Sequence, residues 1–182
     1  MNQEASPPSP TRRWVAYVLA ALGALVLGVY AFRMLPEPAP GSRDSGPLLA
    51  VSLPDADGQP QNLAQWRGRL LVVNFWATWC APCREEMPMF VRAQTAYGAK
   101  GLQFVGIAVD DAVKVRQFAS EIGLNYPALI GGYGAMELSK TLGNSVMALP
   151  FTIVIGPKGD VVLTQLGPVR EAQLERLVAD FL

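Results

Sequence analysis

The sequence predicts an α/β fold with a mixed central sheet, preceded by a separate apolar segment at the N-terminus. Three observations predict it. The apolar runs Leu70–Trp76 and Leu102–Val109 read as strands covered on both faces. Pro82–Tyr97 and Val113–Ile122, which alternate with them, space their apolar residues as helices do. Near the C-terminus, Phe151–Ile155 and Val161–Leu166 flank Gly156-Pro157-Lys158-Gly159-Asp160, a hairpin signal that adds an antiparallel edge.

Composition narrows the function. The 182 residues hold one domain of ordinary size with appendages. Lys and Arg total 15 and Asp and Glu total 15, so no basic excess points to nucleic acid as a partner. Histidine is absent, which removes the commonest transition-metal ligand and any Cys-His or Ser-His pair. The two cysteines, Cys80 and Cys83, cannot complete a four-ligand structural zinc site without outside help, and no cofactor is expected.

Residues 1–13 are polar and rich in Pro and Ser, and are expected to be disordered. Trp14–Phe32 then runs without a charge, with Trp14 and Tyr17 near one end and Tyr30 and Phe32 at the other. That length nearly matches a hydrocarbon core of about 30 Å, and the aromatics suit its interfaces. Residues 14–35 are therefore expected to be a transmembrane anchor in the lipid bilayer. Arg12 and Arg13 before the segment outweigh Arg33 after it, which favours a cytoplasmic N-terminus. The expectation is a single-pass protein of the inner membrane with its catalytic domain in the periplasm. A cleaved signal peptide is the competing reading, but its apolar region is usually about 7–15 residues, and no A-x-A site follows Phe32. Residues 36–47, with Pro36, Pro38, Pro40 and Pro47, read as a semi-rigid linker. Residues 48–182 form the domain.

Within the domain, Leu48–Leu53 reads as a short strand ended by the turn-rich Pro54–Gly58. Gln61–Trp66 reads as an edge element or a turn of helix. Pro88 inside the first long helix predicts a kink. Asp110 and Asp111 end a strand and are expected to cap the next helix. Pro127–Ile130 is a brief extended piece, and Ala135–Leu142 a short helix ended by Gly143-Asn144. Arg170–Leu182 closes the chain as an amphipathic helix through Leu174, Leu177, Val178 and Phe181.

The chemistry gathers at Trp79-Cys80-Ala81-Pro82-Cys83, where a buried strand meets a helix. Two cysteines at this spacing can close a disulfide within one helical turn. The same turn places the first sulfur beside unpaired backbone N–H groups, where the helix dipole favours a thiolate. Pro82 lacks an N–H and suits a first turn. A redox pair fits this setting better than two inert buried thiols.

The strand and helix V-V-N-F-W-A-T-W-C-A-P-C-R-E-E-M-P, the later A-L-P-F-T-I-V-I, the P-K-G-D hairpin and the last helix resemble the thioredoxin superfamily. More narrowly, they are similar to membrane-anchored TlpA/ResA-like thiol-disulfide oxidoreductases, which include reductases of cytochrome c maturation. The resemblance covers residues 48–182. It implies a thioredoxin-like three-layer α/β/α fold, with Cys80 as nucleophile and Cys83 as resolving thiol. It implies that Glu86 handles the proton of that thiol, and that Leu149-Pro150 is a cis-proline loop beside the sulfurs. Leu149 would offer its backbone to an incoming strand, with Trp79 and Pro82 completing the substrate-binding surface. The implied partners are oxidised protein thiols as substrate and a membrane electron-donor protein for re-reduction. Two positions depart from the pattern: Asn74 stands where thioredoxins carry a buried Asp, and Phe151 where many relatives place Thr.

A disulfide oxidase or isomerase would use the same residues at a different redox poise. A Cu(I)-binding thiol module remains a further reading, although such modules usually add a histidine. A peroxidase would need a P-x-x-x-T/S-x-x-C setting that is absent here. Spacing and composition do not decide the redox direction; the resemblance and Glu86 favour a reductase.

Overall fold

The computed structural model describes residues 23–25, 27 and 45–182. The chain divides into two units, Met1–Gly41 and Ser42–Leu182, and residues 45–182 fall in the second. Residues 23–25 and 27 are helical, and the rest of the span expected at 14–35 lies outside the described residues. Among the described residues no helix is long and apolar enough to cross a membrane.

In chain order the elements of the second unit are α1 (Gly46–Leu49), β1 (Ser52–Pro54), β2 (Pro60–Asn62), a 3-10 turn (Leu63–Trp66), β3 (Leu70–Trp76) and α2 (Ala81–Tyr97). They continue with β4 (Leu102–Ala108), α3 (Ala112–Glu121), β5 (Ala128–Ile130), α4 (Gly134–Thr141), β6 (Phe151–Ile155), β7 (Val161–Leu166) and α5 (Glu171–Phe181). The main sheet has the order β5-β4-β3-β6-β7, and β1 and β2 pair separately. β3 runs parallel to β4 and antiparallel to β6, so the sheet is mixed. Every residue of β3 and β4 is buried, as their unbroken apolar runs required.

Strand alternation divides the core in two. Leu70, Val72 and Trp76 point to one face, where they join Phe90 of α2, Phe118 of α3 and Leu174 of α5. Growth of the sheet from β3 to β4 to β5 through right-handed crossovers places α2 and α3 on that same face. Leu71, Val73 and Phe75 point to the other face and join Leu49 of α1, Ala135 of α4 and Ile153 of β6. Gly106 sits under the indole of Trp76, whose Nε1 would lie 2.7 Å from a Cβ at that position, so the ring needs a residue without a side chain there.

One expected element is corrected. Leu48 and Leu49 lie in a helical turn, and the strand begins only at Ser52. Pro47 in the first turn starts this helix, and two consecutive buried leucines break the alternation that a half-buried strand requires. The α2 helix continues through Pro88, which is exposed. The remaining elements lie within a residue or two of their expected bounds.

Candidate active site

β3 ends at Trp76, and the chain turns through Ala77 to Trp79 into the first turn of α2. Cys80 is the N-cap of α2, and its sulfur accepts from the Cys83 N–H at 3.3 Å. Cys80 and Cys83 are joined in a disulfide, with their Cα atoms 5.3 Å apart. Cys83 is fully buried and Cys80 nearly so, whereas Trp79 beside them is 66% exposed. Pro82 occupies the first turn, where its missing N–H costs no helical bond.

Glu86 lies one turn beyond Cys83 on α2 and is buried. Its Oε1 accepts from Asn74 Nδ2 at 2.9 Å, and its Oε2 accepts from the Val169 N–H at 2.8 Å. Burial pushes its carboxyl up to about 7, against the pull of those two donors. Asn74 also donates to Thr152 Oγ1 at 3.0 Å, so α2, β3 and the segment before α5 meet at one carboxylate, and β6 joins them through Asn74. Burial, together with the nearby Glu86 charge, also pushes the Tyr126 phenol up. Asn74 Oδ1, Trp76 Nε1 and Tyr126 Oη are buried on this side of the sheet without a hydrogen-bond partner among the described residues.

The Leu149-Pro150 bond is cis. Because Phe75 pairs with Phe151 in the antiparallel ladder, Pro150 falls at the end of the sheet from which Cys80 emerges. The Pro150 carbonyl accepts from the Gly167 N–H at 2.9 Å, fixing the loop to the end of β7. Between this loop and Trp79 runs a groove of about 670 Å³, lined by Trp79, Asp110, Tyr133, Met136 and Met147 among others. The structure thus gathers Cys80, Cys83 and Glu86 on one helix, and places Trp79 and the cis-proline loop at the same end of the sheet.

Of the two aspartates expected to cap α3, only Asp111 does so, accepting from the Lys114 N–H. Asp110 instead accepts from the backbone N–H and the hydroxyl of Thr78, anchoring the turn just before the cysteines. Burial pushes the Asp110 carboxyl up, but hydrogen bonds from Thr78, the Asp111 N–H and Lys114 outweigh it and hold it below its ordinary value. The roles of Thr152 and Val169 around Glu86 are not expected from the sequence. A single asparagine inside an apolar strand is the available signal for a buried polar contact.

A disulfide at a helix N-terminus, a buried acid one turn on and a cis-proline loop at the same end of the sheet define a thioredoxin-fold protein of dithiol-disulfide chemistry. Its relatives agree. The chain matches the Redoxin family over residues 41–179 and belongs to it. It is 32% identical to the thiol-disulfide oxidoreductase ResA of Bacillus thuringiensis subsp. konkukian over 122 residues, covering 66% of this chain and 68% of that one. It is 28% identical to the thioredoxin-like protein YneN of Bacillus subtilis, over 91% of this chain and 96% of that one. A solved thiol:disulfide interchange protein of the thioredoxin family from Chlorobium tepidum superposes with a TM-score of 0.65 at 30% identity, over 72% of this chain and 92% of that one. The protein is a TlpA/ResA-like thiol-disulfide oxidoreductase.

Proposed function

We propose that the protein is a membrane-anchored, extracytoplasmic reductase of protein disulfides, of the kind that serves cytochrome c maturation. Residues 14–35 are the anchor, the N-terminus is cytoplasmic, and the thioredoxin-like domain stands in the periplasm. The reductase direction rests on the likeness to TlpA/ResA-like proteins, and the site observation that supports the dithiol chemistry is Glu86, a buried acid one turn beyond Cys83 with its carboxyl raised to about 7. Such a group exchanges its proton at physiological pH, which is what a buried resolving thiol needs.

In the reduced enzyme the Cys80 thiolate attacks one sulfur of a substrate disulfide. The substrate S–S bond breaks, the leaving sulfur takes up a proton, and a mixed disulfide with Cys80 forms. Cys83 then gives its proton to the Glu86 carboxylate and attacks the Cys80 sulfur. The second substrate sulfur departs as a thiolate and takes up a proton, Glu86 gives its own back to become a carboxylate again, and the Cys80–Cys83 disulfide remains. Two electrons have passed from the dithiol to the substrate, and a membrane electron-donor protein returns them. Leu149 pairs its backbone with the substrate strand while Trp79 and Pro82 flank the reacting sulfurs.

The test is the reduction potential of the Cys80–Cys83 couple in the full chain, equilibrated against glutathione. A reductase is expected near or below about −250 mV. A value near about −120 mV would make the protein a disulfide donor and end the reductase reading.

A further inference from the structure

The loop that leads into the cis proline is held in an unusual way. Asn144 follows α4, and its side chain is buried. Its Oδ1 accepts from the Ala148 N–H at 3.1 Å, and its Nδ2 donates to the Ala148 carbonyl at 2.8 Å. One side chain therefore occupies both backbone groups of a residue four positions on, as a neighbouring strand would. The same Nδ2 donates to Ser139 Oγ at 3.1 Å, and Ser139 in turn donates to the Met136 carbonyl at 2.8 Å. The Asn144 carbonyl accepts from the Met147 N–H at 3.0 Å, closing the loop from inside.

This brace has two effects on the site. Met147 is held at φ 53°, a left-handed conformation that a long side chain adopts at a cost, and it lines the groove that Trp79 also lines. Leu149, the next residue after the braced Ala148, has neither its N–H nor its carbonyl in a hydrogen bond among the described residues. A substrate strand needs a free donor and acceptor at this point, and they must already be in register.

We propose that Asn144 is a positioning residue that presets the backbone of Leu149 for pairing with an extended substrate polypeptide and fixes Met147 as an apolar contact for that polypeptide. The proposal rests on the protein-disulfide chemistry of Cys80 and Cys83. It adds a recognition role for a residue that touches neither cysteine nor substrate.

The test is Asn144→Ala in the full chain, with two disulfide substrates measured side by side. Toward a disulfide-bonded protein, KM is expected to rise about tenfold with kcat retained, the scale of one or two lost hydrogen bonds. Toward a small disulfide, which has no strand to pair, the rate is expected to be unchanged, as is the potential of the dithiol. A proportional loss on both substrates, or an unchanged KM in a folded variant, overturns the proposal. If even the wild-type chain reduces neither substrate, the reductase reading fails first.

A second measurement does not depend on that variant folding. With Cys83→Ala, the mixed disulfide of Cys80 with a cysteine-bearing peptide is trapped, and amide hydrogen exchange is followed. The Ala148 amide is expected to be protected with and without peptide, and the Leu149 amide to slow about tenfold when the peptide is attached. An unprotected Ala148 amide in the free protein, or an unaltered Leu149 amide in the mixed disulfide, overturns the proposal.

Discussion

The two faces of the central sheet obey one alternation rule and do different work. On the face covered by α1 and α4, β3 presents Leu71, Val73 and Phe75, and β6 answers with Phe151, Ile153 and Ile155. Every one of these is apolar, and Phe75 meets Phe151 with ring centroids 5.9 Å apart. On the face covered by α2, α3 and α5 the same two strands present Asn74 and Thr152 among apolar neighbours, and Glu86 descends onto them from the helix. On the first face β3 and β6 stabilise through apolar burial. The other holds a carboxylate out of water, and three buried polar atoms on that face, Asn74 Oδ1, Trp76 Nε1 and Tyr126 Oη, have no hydrogen-bond partner among the described residues. Stability and reactivity are thus drawn from opposite sides of one sheet, with β3 contributing to both.

The largest effect that tests this division is Phe75→Ala. Removing a fully buried ring from the apolar face is expected to cost about 3–5 kcal/mol in urea unfolding, by similar amounts at pH 5 and pH 8, with the dithiol potential unmoved. A shift in the potential would mean that the two faces are coupled.

Glu86 comes next. Its folded carboxyl is raised from 4.5 to about 7, so the folded state holds the proton more tightly than the unfolded one. The stability this confers is full below about pH 4.5 and is lost as pH rises through 7, a fall of roughly 3 kcal/mol. Glu86→Gln should flatten that fall, as read from urea midpoints at pH 4.5 and pH 8. If the slope survives the substitution, another group on the polar face is responsible.

Asn74→Ala removes the amide that donates to both Glu86 and Thr152. It is expected to cost about 2 kcal/mol at pH 8 and to raise the Glu86 titration further, which carboxyl NMR would report. Thr152→Val removes only the acceptor of one Asn74 hydrogen bond, and a loss of about 1 kcal/mol is expected with little change in the Glu86 titration. A larger response at Thr152 than at Asn74 would show that the cluster is organised from β6 and not from β3.

Much of this division is legible in the sequence. β3 and β6 run over the residues that their apolar patterns mark, Leu70–Trp76 and Phe151–Ile155, because a strand buried on both faces leaves an unbroken run. Cys80, Cys83 and Glu86 are legible because they lie within one helix and local spacing fixes their relation. Leu48–Leu53 misleads because burial alone does not separate a buried helical turn from a strand, and Pro47 is the better guide. Asp110 with Thr78 and Glu86 with Val169 are separated by 32 and 83 positions, so no local pattern encodes either contact. Asn144 reads as part of a helix-ending Gly-Asn pair. Its hold on Ala148 depends on a loop conformation that composition does not specify.

The hydrogen bond from the Val169 N–H to Glu86 sets an order of events during synthesis. A ribosome adding roughly 5–20 residues per second reaches Val169 on the order of 4–17 s after Glu86, because 83 positions lie between them. Both cysteines already exist throughout that interval, while the acid beside them still lacks its main-chain donor and the covering helix α5. A growing chain therefore carries two cysteines whose neighbouring buried acid is not yet in its final environment, and the surroundings of Glu86 are complete only when the last helix docks.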